Sequence, residues 1–169
     1  MKLIFLGPPG AGKGTLAAKA AEILSVPHIS TGDIFRSAIA DQTPLGVKVK
    51  AIIDEGKLVD DAITVEMVKE RLANSDAKDG YILDGFPRTI LQAEMLDTFS
   101  AVDNVINLII TDLAIVKRLQ ARQVCSDCGA TYNLVSHPPK VEGVCDICSG
   151  KIGTRNDDRP EAVQQRLEV

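Results

Sequence analysis

The stretch Gly7-Pro8-Pro9-Gly10-Ala11-Gly12-Lys13-Gly14-Thr15 restricts the fold of this chain more than any other. It follows the apolar run Leu3-Ile4-Phe5-Leu6. It opens a segment, Lys13 to Leu24, whose apolar residues Leu16, Ala17, Ala20, Ile23 and Leu24 recur at helical spacing. A buried strand passing through a glycine-rich turn into a helix N-terminus is the arrangement in which backbone N–H groups close around phosphate. Glycine permits the left-handed angles and the close approach that this needs. Lys13 adds a mobile full charge for the β- and γ-phosphates. The general pattern of such loops has Ser or Thr directly after the lysine, whereas here Gly14 intervenes before Thr15. Magnesium is therefore expected to be held by phosphates and its own waters, with Asp84 and Asp33 orienting those waters.

Apolar runs and helical patterns go on alternating along the chain. Val26 to Ser30 reads as a short second strand, Tyr81 to Asp84 as a third, buried one and Val105 to Ile110 as a fourth. Between them, Asp33 is placed to cap a helix running toward Ala40. Thr43-Pro44 starts another that stops at Gly56, and Asp60 or Asp61 caps one through Leu72. Thr89 to Phe99 is helical, and Asp112 caps a helix to about Arg122. The order predicts an α/β protein: a parallel sheet with helices on both faces, its ligands beyond the carboxyl ends of the strands. Gly7 onward and Asp84-Gly85 both fall at such ends.

The pattern changes over 123–158, which is rich in Cys, Gly, Pro, Asp and Ser and has no helical period. It holds all four cysteines, as Cys125-x2-Cys128 and Cys145-x2-Cys148. Two such pairs are a strong structural-zinc signal, and four thiolates leave no open position for catalysis. Two disulfides, or iron in place of zinc, are the alternatives. Four basic residues stand against five acidic ones over 122–158, with one aromatic, Tyr132. That is a poor footprint for a nucleic-acid face.

Three segments together resemble the adenylate kinases, in the form with a long, zinc-bearing lid. Gly7 to Thr15 resembles the family's phosphate loop, including its Gly-Thr ending. Asp84-Gly85-Phe86-Pro87-Arg88, with Gln92, resembles its most diagnostic motif. Thr31-Gly32-Asp33 with Arg36 resembles its monophosphate entry. The resemblance runs in order over the whole chain. It implies ATP + AMP ⇌ 2 ADP with magnesium, a P-loop core (1–29, 60–121 and 159–169), a helical AMP-binding insert (30–59) and a zinc-bound β lid (122–158). It implies that Gly10, Ala11, Gly12, Lys13, Gly14 and Thr15 hold ATP, with Arg118 against its adenine and Thr131 and Tyr132 of the lid on the same side. Arg36 and Arg88 would hold the AMP phosphate. Thr31, Gly32, Gly85 and Gln92, with the chain at Lys57, Leu58 and Val59, would surround the rest of AMP. Arg122, Arg155 and Arg166 would close over the transferred group, braced by Asp157 and Asp158. Physical chemistry asks for the same residue type, because phosphoryl transfer needs alignment and charge neutralisation and the planar guanidinium supplies both. His28 and His137 read as structural or exposed.

A net charge of −4 argues against general adhesion to nucleic acid or anionic membranes. No apolar run approaches the length of a membrane span, and the N-terminal one is too short for a signal-peptide core. The expected location is cytoplasmic, and the expected partners are the nucleotides alone. Two features depart from the family pattern. Gln123 stands where many relatives have a second arginine. The chain also stops at Val169, where relatives continue with the rest of the last helix, a fifth strand and a closing helix. The expectation is a fragment, or a chain completed by another polypeptide, with exposed apolar surface, weak activity and a tendency to associate. The complete protein would be a monomer. The competing functions are a kinase for another nucleoside monophosphate and a catalytically inert nucleotide-binding domain.

Overall fold

A computed structural model describes residues 1–167 of the chain, with side chains through Gln164 except Pro160. Its centre is a four-stranded parallel sheet formed by β1 (Lys2–Leu6), β2 (His28–Ser30), β3 (Tyr81–Asp84) and β4 (Asn104–Asn107), in the order β2-β3-β1-β4. Register follows from the apolar runs: Leu3 pairs with Ile82 and Ile4 with Leu83. Alternate residues of the central strands serve opposite faces. Ile4, Ile29 and Leu83 pack with Val65, Val68, Phe86 and Leu96 on one side. Leu3, Phe5 and Ile82 pack on Ala17 on the other. Both faces are covered, which is why these strands read as continuous rather than alternating.

Seven helices connect and flank the strands: α1 (Lys13–Leu24), α2 (Thr31–Ala40), α3 (Pro44–Asp54), α4 (Asp61–Leu72), α5 (Ile90–Asp97), α6 (Asp112–Gln120) and α7 (Pro160–Leu167). Thr43 caps α3 through the Gly46 amide, and Asp60 caps α4 through the amides of Ala62 and Ile63. Two expected caps differ. Ser30, not Asp33, caps α2, because its hydroxyl accepts the Asp33 N–H and puts Asp33 inside the first turn. Thr111 takes the cap position of α6 and Asp112 lies in its first turn, where a carboxylate still favours the positive helix end.

The fourth strand also departs from expectation. It is short and fully exposed, at the open edge of the sheet, with Val105 and Ile106 among the exposed apolar side chains. Its partner on one side is β1; no described element covers its other side.

Residues 122–158 form a second, antiparallel sheet of β5 (Arg122–Cys125), β6 (Thr131–Asn133) and β7 (Ile152–Gly153), in the order β6-β5-β7. A 3-10 turn, Asn156–Asp158, returns the chain to α7. The core of this sheet is small: Cys125, Tyr132, Cys145 and Ile152, with Ala130 beside them. Among the described residues no helix is long and apolar enough to cross a membrane.

Candidate active site

The glycine-rich loop turns at the carboxyl end of β1 and delivers Gly12, the cap residue of α1, with φ of 99° and no side chain capping the helix. Gly10 also has a positive φ, 76°. The first-turn amides of α1 therefore face a loop with no carboxylate in it. Lys13 folds back along the loop, donating to the carbonyls of Gly7 at 2.8 Å and Pro8 at 2.9 Å. From α6, Arg118 donates to the carbonyl of Ala11 at 3.2 Å, while Leu119 and Ile115 underlie Gly10.

Gly14 has a steric reason. A Cβ there would lie 3.3 Å from Oδ2 of Asp84 on the neighbouring strand. The absent side chain is what lets that nearly buried carboxylate approach the loop. His28 on β2 reaches the same oxygen through Nε2, at 3.3 Å. The place of His28 beside Asp84 arises because β2 and β3 are adjacent in register.

A cleft beside the loop gathers residues far apart in sequence. Thr31, Gly32 and Arg36 of α2 face Lys57, Leu58 and Val59, and then Gly85, Arg88 and Gln92 after β3. Every residue expected around AMP other than the lid arginines lines this one cleft. Asp157, from the turn that follows the lid sheet, lines it as well. Thr31 donates to the Gly85 carbonyl at 2.9 Å, and Arg88 Nε donates to the same oxygen at 2.7 Å. Arg36 pairs with Asp33. Burial pushes the Asp33 carboxyl up, but the charge and hydrogen bond of Arg36 outweigh it and hold the group below its ordinary value.

Arg155 of the lid segment stands near enough to Arg36 and Arg122 to feel their charges. Arg122 clasps Asp158: Nε donates to Oδ2 at 2.7 Å and a terminal nitrogen donates to Oδ1. Arg155 is deeply placed, and its Nε is a buried donor with no partner among the described residues. Burial, followed by the charges of Arg36 and Arg122, pushes its pKa down to about 10. Arg166 lies in α7, and its side chain is outside the described residues.

Two lid residues expected beside ATP divide. Thr131 is exposed on β6. Tyr132 has its ring buried in the lid core, stacked on His137, and its hydroxyl lies 3.4 Å from Sγ of Cys145. The Asp146 N–H donates to that hydroxyl at 2.8 Å, so the phenolic hydrogen points to the sulfur. The residue alternation of β6 decides this, by sending residue 132 inward. That hydrogen bond is the main reason the Cys145 thiol falls to about 6.

Sγ atoms of Cys125, Cys128, Cys145 and Cys148 all lie within 4.8 Å of one another. Four thiolates around one ion at about 2.3 Å are spaced at this scale. The donor set fits a metal, and Cys145 is ready to lose its proton to one.

Residues that sequence reasoning missed lie behind these. Asp60 caps α4, whereas the carboxylate of Asp61 accepts from Gln92 Nε2 at 2.7 Å and from Thr89 Oγ1 at 3.0 Å. Phe35, Ile53 and Thr64 complete the cleft wall. Nothing in linear spacing links α4 to the start of α5, so no sequence signal marked Asp61.

Comparison with known proteins agrees with the geometry. A family model described as adenylate kinase matches residues 5–169. An adenylate kinase of Treponema denticola is 56% identical over 169 residues, covering 100% of this chain and 81% of its own length. One from Clostridium tetani is 51% identical and one from Staphylococcus aureus 50% identical, each over 174 aligned positions, all of this chain and 81% of the relative. Membership thus rests on the loop, the cleft and the four-thiol lid as well as on likeness along the whole chain, and this protein belongs to the adenylate kinase family.

Proposed function

We infer that this chain catalyses the reversible transfer of the terminal phosphoryl group of ATP to AMP, giving two ADP. One observation carries the reading. Arg36 and Arg88 line one cleft, and Arg155, whose Nε is buried without a partner among the described residues, stands close enough to Arg36 and Arg122 to feel their charges. Guanidinium groups gathered in this way suit a polyanionic ligand.

In this reading the amides of Gly10 to Thr15 cradle the ATP phosphates, Lys13 leaves its loop carbonyls for the β- and γ-oxygens, and Arg118 flanks the adenine. Thr131 faces the same nucleotide from the lid. Arg36 and Arg88 hold the AMP phosphate. Thr31, Gly32, Gly85 and Gln92, with Lys57, Leu58 and Val59, enclose its nucleoside. Arg122, Arg155 and Arg166 spread charge over the moving phosphoryl group, and Asp157 and Asp158 brace them. The chemistry requires in-line alignment of two oxygens and neutralisation of charge, and no side chain need act as a nucleophile. Magnesium bound with ATP supplies part of that neutralisation, and Asp84 is placed to orient its waters. The four thiols bind structural zinc, stiffening a lid (122–158) that closes to exclude water from the phosphoryl group. Residues 30–59 form the AMP-binding insert on a core of 1–29, 60–121 and 159–169.

A coupled assay with ATP and AMP tests this. AMP-dependent ADP formation is expected. Lys13→Met should lower kcat by about a hundredfold or more while metal content stays unchanged. Turnover unaltered by that substitution would remove the loop from the mechanism.

A further inference from the structure

Gln92 is 1% exposed yet lines the cleft. Its amide is held from both ends by groups that leave no choice of orientation. The Arg88 N–H can only donate, and it meets Oε1 at 2.7 Å. The Asp61 carboxylate accepts, with Nε2 donating to its Oδ1 at 2.7 Å. Asp61 is itself tied down. Thr89 Oγ1 donates to its other oxygen at 3.0 Å and accepts the Gln92 N–H at 3.1 Å. The carboxylate belongs to the first turn of α4 and does not line the cleft.

These contacts use one lone pair of Oε1 and one hydrogen of Nε2. One acceptor site and one donor remain on the amide, in a fixed order. A 6-aminopurine offers the matching edge, with N1 accepting and the exocyclic amino group donating. A 6-oxopurine offers the reverse, a donor N1–H and an acceptor O6. A freely turning amide would serve both edges. One held in this sense leaves a 6-oxopurine facing donor against donor and acceptor against acceptor, and buried mismatched polar groups discriminate strongly.

We propose that Asp61 is a specificity-determining positioning residue: by fixing the Gln92 amide, it selects 6-amino over 6-oxo purine monophosphates. The proposal rests on the assignment of this cleft to AMP.

The test is the ratio of kcat/KM for AMP to that for IMP, with Kd values for both monophosphates from calorimetry and a melting curve for each variant. Asp61→Leu removes the acceptor at similar volume, and the ratio should fall at least about tenfold. Asp61→Asn keeps an oxygen that can accept from Nε2 and should restore most of it. Should Asp61→Leu fail to fold, Asp61→Ala reads the same ratio. A purely structural role would slow both monophosphates in parallel and leave the ratio unchanged, and that result overturns the proposal. A parent protein that does not prefer AMP to IMP would instead overturn the assignment of the cleft, and the proposal with it.

Discussion

Arg122 and Asp158 are joined by two hydrogen bonds across the base of the lid, and the Asp158 side chain is completely buried. The clasp links the first residue of β5 to the turn that leaves the lid, so it ties entry and exit strands together. A buried ion pair is costly to break from one side, because the remaining charge stays out of water.

Arg122→Met should therefore destabilise the protein by about 3 kcal/mol, and Arg122→Met with Asp158→Asn by less than that. Urea midpoints at constant m-value would measure both. A double variant no better than the single one would show that the clasp is not the source of the loss.

Arg155 predicts the opposite sign. Folding lowers its pKa from the ordinary arginine value to about 10, so the folded state binds this proton less tightly than the unfolded chain does. The penalty is fully present below pH 10 and is relieved as pH rises from there toward the unfolded value. Arg155→Met should raise the stability of the ligand-free protein by about 1 kcal/mol at neutral pH, and should weaken binding of a bisubstrate dinucleotide by about tenfold or more. Melting curves and calorimetry would show the trade; a variant that loses both stability and affinity would contradict it.

Gly14→Ala places a methyl group 3.3 Å from the Asp84 carboxylate. Alanine favours the helix that begins there, so stability should change by less than about 1 kcal/mol. Displacement of Asp84 should nonetheless lower kcat about tenfold and raise the magnesium concentration needed for half-maximal rate. An unchanged magnesium dependence would separate Asp84 from the metal's waters.

Metal removal should be felt chiefly in the lid. Its core is only Cys125, Tyr132, Cys145 and Ile152, too small to hold two hairpins without a cross-link. Chelation should release zinc and lower the melting temperature by several degrees, and Cys145→Ser should do the same without chelator. A chelated protein that melts as before would refute a structural metal.

The sequence alone determined much of this protein, because its strongest signals are local. The loop from Gly7 to Thr15, the buried run Tyr81–Asp84 and the Thr43-Pro44 helix start each depend on neighbours within a few residues, and each stands where its pattern puts it. Four cysteines in two short pairs marked a candidate metal site, and their Sγ atoms lie within 4.8 Å of one another. Tertiary structure decided what depends on distant partners. Alternation along β6 buried Tyr132 against a thiol. An edge position with no covering element among the described residues left β4 exposed, Val105 and Ile106 included. Adjacency of β2 and β3 brought His28 to Asp84. The meeting of α4 with α5 gave Asp61 its hold on Gln92. Backbone propensity acts over one or two turns of chain, whereas the orientation of a buried polar group is set by whichever partner packing supplies, and no spacing in the sequence encodes that choice.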